Sequence, residues 1–83
     1  MLNYELLDEN LRDTMRRYIE HRVPPGHFLQ AVLSNDLHEA CARADWENRH
    51  KLFDLVSWLH NEAPSTCWGS PERFQAWLSA REL

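Results

Sequence analysis

The chain has 83 residues, enough for one domain and too few for a large core. Its 13 acids against nine Lys and Arg give a formal charge of −4, which disfavours a general nucleic-acid or anionic-membrane surface, because both want a basic excess. No apolar run approaches the ~20 residues of a membrane span, and the opening MLNYELLDEN lacks the basic and apolar regions of a signal peptide, so a cytoplasmic protein is expected.

Residues 1–6 read as a leader with no assigned place. A first helix is predicted over 8–22. Asp8 can cap it, and Glu9 suits the positive end of the helix dipole. Leu7, Leu11, Met15, Tyr18, Ile19 and Val23 recur at helical spacing and make one apolar stripe. The other face carries Glu9, Arg12, Asp13, Arg16, Arg17 and Glu20. Pro24 is expected to end this helix, because the residue before a proline avoids the helical region. Pro24-Pro25-Gly26 then turns the chain and sets the angle between the first helix and the rest. A positive φ at Gly26 would make Gly26→Val destabilising.

A short second helix is predicted over 26–33, with Phe28, Leu29, Val32 and Leu33 on one face. Ser34-Asn35-Asp36 interrupts it, since three residues that favour caps and turns stand together. One helix continuing across them is the alternative. Asp36 with Glu39 resembles a capping box and opens a third helix over 36–44, burying Leu37, Ala40, Cys41 and Ala44. Cys41→Ser should then be destabilising. Asp45 caps the longest helix, 46–62. Leu52, Leu55, Val56 and Leu59 form its stripe, and Phe53 and Trp58 its flanks. Pro64 ends it. Ser70-Pro71-Glu72 starts the last helix, 71–80, with Phe74, Trp77 and Leu78 inward, and residues 80–83 are expected to fray. The fold class is therefore all-α, a single-domain bundle of four to five helices.

Little here carries chemistry. His21, His27, His38, His50 and His60 form no paired ligand motif. His38, Cys41, His60 and Cys67 are a chemically allowed zinc set, but without the usual ligand spacing. Cys67 and Ser70 lie near a helix N-terminus, where a thiolate is favoured, yet Ser70 before Pro71 is better read as a cap. With only Gly26 and Gly69, there is no glycine-rich phosphate loop. No catalytic residue, metal or cofactor is expected. Arg12, Arg16, Arg17 and Arg22 could form a phosphate-binding face, though interleaved acids fit a solvated helix surface. Glu5, Asp8, Glu9 and Asp13 come closest to an acidic track that could mimic nucleic acid. Four Trp in so short a chain matter most. Trp46 and Trp58 are interface anchors if exposed, and core if not.

Pro24-Pro25-Gly26, Phe28-Leu29, Ala31-Val32-Leu33, Asn35-Asp36-Leu37 and Glu39-Ala40, followed by Asn61-Glu62-Ala63-Pro64 and Cys67-Trp68-Gly69-Ser70, resemble a family of short bacteriophage- and prophage-encoded proteins. The resemblance spans about residues 16 to 78. It implies a small protein acting inside an infected bacterium, and it carries over no functional residue.

The combined expectation is a non-enzymatic accessory protein that binds, and by binding inhibits, a host or phage macromolecule. Trp46, Trp58, Arg12, Arg16 and Arg17 are the candidate contact residues. A protein partner ranks above nucleic acid, which would use the arginine face, and no membrane contact is expected. A metal-stabilised module ranks third. A homodimer is allowed, because pairing would bury more apolar surface for so short a chain.

Overall fold

A computed structural model describes residues 2–80. Met1 and residues 81–83, which include most of the tail expected to fray, lie outside the described residues. All regular structure among the described residues is helical. No helix there is long and apolar enough to cross a membrane.

The N-terminal segment is docked. A 3-10 turn, Tyr4–Leu6, opens on Asn3, whose side-chain oxygen accepts the Glu5 N–H. Tyr4 and Leu7 are buried. The Tyr4 ring meets that of Trp58 at 5.6 Å between centroids, and the Trp58 indole N–H donates to the Asn3 carbonyl at 2.8 Å.

Helix α1, Glu9–His21, starts as expected: the Asp8 carboxylate accepts the Asn10 N–H at 3.1 Å. Leu11, Met15, Tyr18 and Ile19 face inward. Its end differs from expectation. Arg22 stops it, two residues before Pro24, by adopting the left-handed conformation at φ 59° with its N–H on the Tyr18 carbonyl at 3.1 Å. A non-glycine residue persists there only when its surroundings hold it. Here the Arg22 guanidinium lies 3.5 Å over the Trp77 ring. The same reversal turns Val23 outward, so it is exposed rather than part of the stripe.

Helix α2, His27–Leu33, follows a glycine with an ordinary φ of −69°. A Cβ at Gly26 would meet no atom within 4 Å, which removes the expectation that Gly26→Val strains the turn. Phe28, Leu29, Ala31, Val32 and Leu33 are all buried. The break at Ser34–Asp36 is real. Asn35 takes a left-handed φ of 62°, and the Asp36 carboxylate caps the next helix by accepting the Glu39 N–H at 3.1 Å.

Helix α3, Leu37–Arg43, is only half as expected. Ala40 is buried and Ala44 packs against the core. Leu37 and Cys41 are exposed. With so few turns packed on α2, only the Ala40 line reaches the interior.

The single helix predicted over 46–62 is two. Asp45 does cap α4, Trp46–Arg49, through the Asn48 N–H at 2.8 Å. The His50 and Lys51 N–H groups then bond three residues back, to Glu47 and Asn48. This tightened turn shifts the helical phase before α5, Leu52–Glu62. The buried stripe of α5 becomes Leu55, Trp58 and Leu59, while Val56 and Phe53 turn outward.

A second 3-10 turn, Ser65–Cys67, leads to α6, Pro71–Ser79. Ser70 caps α6 through the Arg73 N–H, and Pro71 takes the first helical position. Cys67 is fully enclosed. The Tyr18 hydroxyl donates to the Cys67 carbonyl at 2.6 Å, and the Tyr18 ring stacks on Phe74 at 5.5 Å. The Trp77 indole N–H closes the set on the Tyr18 carbonyl at 3.1 Å. Tyr18 is thus the junction where α1, the Cys67 turn and α6 meet.

Candidate functional site

The two tryptophans expected as anchors part company. Trp58 is 4% exposed and belongs to the core, fixed by its hydrogen bond to Asn3. On α5 it shares the buried face with Leu55 and Leu59, which carries position 58 from flank to interior. Trp46 is 69% exposed. Its ring is steadied on one helical turn by the edge of His50 at 4.8 Å and by the Arg49 guanidinium at 5.3 Å. It is held in place without being covered.

Two further apolar side chains stand out on α3 and α5, and neither was expected to. Phe53 is 81% exposed and Leu37 is 67% exposed. Leu37 and Val56 line one shallow depression of about 40 Å³ with Leu52 and Trp68. Phe53 lies one turn before Val56 on α5, so α3 and α5 together present an uncovered apolar face. The signal for it was present in the spacing. Leu55, Trp58 and Leu59 form as good a helical stripe as Leu52, Leu55, Val56 and Leu59, and choosing the former leaves Phe53 and Val56 outside.

The arginines do not form one face. Arg12 is engaged with the backbone of the N-terminal segment, donating from Nε to the Leu7 carbonyl at 3.0 Å and from Nη2 to the Glu5 carbonyl at 3.1 Å. Arg16 lies over the Tyr4 ring at 4.8 Å. Arg22 is stacked on Trp77. Arg17 is exposed. Three of the four therefore clamp apolar or backbone groups. Tyr4 itself is buried, and that burial, with the Glu20 carboxylate as a smaller influence, pushes its phenol up to about 12.

The acidic track is also divided. Asp8 pairs with Lys51 at 2.9 Å, and Lys51 also reaches Glu47 at 3.4 Å. Its hydrogen bond to Lys51 holds the Asp8 carboxyl below the usual carboxylate range. This pair lines an open groove of about 710 Å³ between the N-terminal segment, the start of α1 and α5. Leu6, Leu7, Leu11, Leu55 and Trp58 give it an apolar lining. Asp54, Asn61 and Glu62 border it from α5.

The cysteines and histidines are not gathered. Cys41 is exposed and Cys67 enclosed. Among the described residues no group of three or more His, Cys, Asp or Glu is placed to hold a metal ion. Burial pushes the Cys67 thiol up to about 11, the opposite of the activation that its place before a helix suggested. The Ser70 hydroxyl oxygen accepts the Arg73 N–H, which is the work of a cap.

Comparison of the chain with protein-family models, with curated proteins and with solved structures gives no match.

Proposed function

We propose that this chain is a small binding protein of the phage accessory type, without chemistry of its own, which acts in the cytoplasm of a bacterium by occupying and blocking a host or phage protein. One observation supports this reading above the rest: Leu37, Trp46 and Phe53 are each two-thirds or more exposed in a protein of only 83 residues. Leu37 shares one depression with Leu52, Val56 and Trp68, and an apolar patch of adjoining side chains left in water marks a surface that is covered when the protein works. Tryptophan and phenylalanine are also what the buried centres of interfaces favour. The resemblance to short phage proteins agrees with such a role. Nucleic acid is the weaker partner, because Arg12, Arg16 and Arg22 already serve the fold.

The test is capture of partners from bacterial lysate on the tagged full chain, with and without nuclease and high salt, read by mass spectrometry. A single stoichiometric protein that survives both treatments, and is lost on Trp46→Ala or Phe53→Ser, is the expected result. Capture that disappears with nuclease would replace this reading with nucleic-acid association. A concentration-dependent dimer by sedimentation, broken by Phe53→Ser, would assign the apolar face to a second copy instead.

A further inference from the structure

We infer that the groove between the N-terminal segment and α5 is a second docking site, and that its occupant is a basic amphipathic helix from a partner protein. The groove is firmly made. Its outer wall is the segment around Leu6 and Leu7, which by itself is only a short turn. Four polar contacts tie that wall to the rest of the protein. Arg12 donates to the Leu7 and Glu5 carbonyls. Trp58 donates to the Asn3 carbonyl, and the Glu62 carboxylate accepts the Asn3 N–H at 3.4 Å. A wall fixed before binding spares a ligand the cost of ordering it. Leu6 nevertheless keeps 64% of its surface in water on that wall.

The charge on the groove then selects the occupant. Among the described residues Lys51 is the one base bordering it, and Asp8 and Glu47 already neutralise that base. Asp54 makes no ion pair or side-chain hydrogen bond among the described residues, and Glu62 has no cationic partner there. Two carboxylates without a cationic partner thus stand beside an apolar floor. They are eight residues apart on α5, which corresponds to about 12 Å along the helix. A helix laid in the groove meets both if it carries Lys or Arg seven or eight residues apart, with leucine-like side chains between them on the same face. The described residues form no strand, so an added strand has no edge to pair with.

This site is separate from the α3–α5 face, and its test keeps the two apart. The probe is a 14-residue helical peptide with a leucine stripe flanked by lysines seven residues apart. Two controls accompany it: the same peptide with glutamate for lysine, and a scramble of equal composition. Binding is read from amide and indole N–H shifts of the isotope-labelled full chain. The expected result is saturable shifts at Leu6, Leu11, Asp54 and the Trp58 indole, seen with neither control. Asp54→Lys should weaken binding roughly tenfold, as reversal of a partner charge does. Asp54 makes no ion pair or side-chain hydrogen bond to lose, but it is the acid in the first turn of α5, so Asp54→Lys should lower the melting temperature slightly while an unchanged far-UV spectrum and resonance dispersion check the fold. Leu6→Asp should weaken binding further, whereas Phe53→Ser should leave it intact. Shifts centred on Leu37, Phe53 and Val56 would overturn the inference. So would equal binding of the glutamate or scrambled peptide, or no groove shift at millimolar peptide.

Discussion

Cys67 is closed off from solvent, and its thiol is pushed up to about 11 because burial disfavours the thiolate. Cys41 stands on the outside of α3. At neutral pH a thiol reagent such as Ellman's should therefore titrate one cysteine at once and the second only on unfolding. Assignment by peptide mapping should give Cys41 as the fast one, and two fast thiols would contradict the enclosure of Cys67. The exposure of Cys41 also withdraws the expectation that Cys41→Ser destabilises. The two glycines are likewise unequal. Gly69 has φ +113°, and a Cβ there would come within 3.1 Å of an Arg73 nitrogen that is bonded to the Ser65 carbonyl. Its N–H also donates to the Leu33 carbonyl at 2.8 Å. Gly69→Ala should cost about 1–3 kcal/mol in thermal or urea unfolding. Gly26 caps α2 with no side chain to offer and has open space around its Cα. Gly26→Ser should therefore gain a few tenths to about 1 kcal/mol in the same measurement.

At the scale of elements, the N-terminal segment is held by Arg12 and Glu62 and, at its start, by one indole. Trp58 reaches the Asn3 carbonyl, and its ring backs Tyr4. Trp58→Phe keeps an aromatic ring but deletes the hydrogen bond and leaves a small cavity, so the loss should be about 1–3 kcal/mol. Amide exchange should speed up first at Tyr4 and Leu7, with the centre of α1 little changed. Uniform acceleration across the protein would show instead that the segment unfolds only with the whole. This contact spans 55 residues, and nothing in the local pattern MLNYELL announces it. The elements whose bounds were legible are those with local chemistry: Asp8, Asp36, Asp45 and Ser70 all cap the helices they precede. The bounds that were not legible depend on tertiary contacts. Arg22 ends α1 against Trp77, 55 positions away in the chain. The tightened turn at His50–Lys51 forms where Lys51 is tied to Asp8. That turn separates α4 from α5, and the face of α5 that packs inward is chosen by its contacts with Tyr4 and Asn3, which places Trp58 inside and leaves Val56 and Phe53 outside together. Of the candidate site, Trp46 was legible directly and Phe53 only as one of two equally good stripes on α5, whereas exposure of Leu37 depends on how little of α3 is covered.

For the molecule as a whole, these buried groups make alkali the vulnerable side. Cys67 rises from 9.0 to about 11 and Tyr4 from 10.0 to about 12 in the folded protein, both chiefly through burial. Tyr18, whose hydroxyl bonds the Cys67 carbonyl, is also raised, first by burial and then by its proximity to the Cys67 thiol. In each case the native state keeps its proton after the unfolded chain has released it. The unfolded state then binds fewer protons, so stability falls as pH rises. The contribution is whole below about pH 9 and is lost progressively toward pH 11 and above. For the fully enclosed Cys67, the rise from 9.0 to about 11 corresponds to about 2–3 kcal/mol, a large share of the stability of so small a domain. Melting temperature measured from pH 7 to 11 should hold level to about pH 9 and then drop. Cys67→Ala removes the first of these three buried groups to titrate in the unfolded chain, so its decline should begin about one pH unit later, at the tyrosines. An identical onset in the variant would mean that the thiol does not set the alkaline limit.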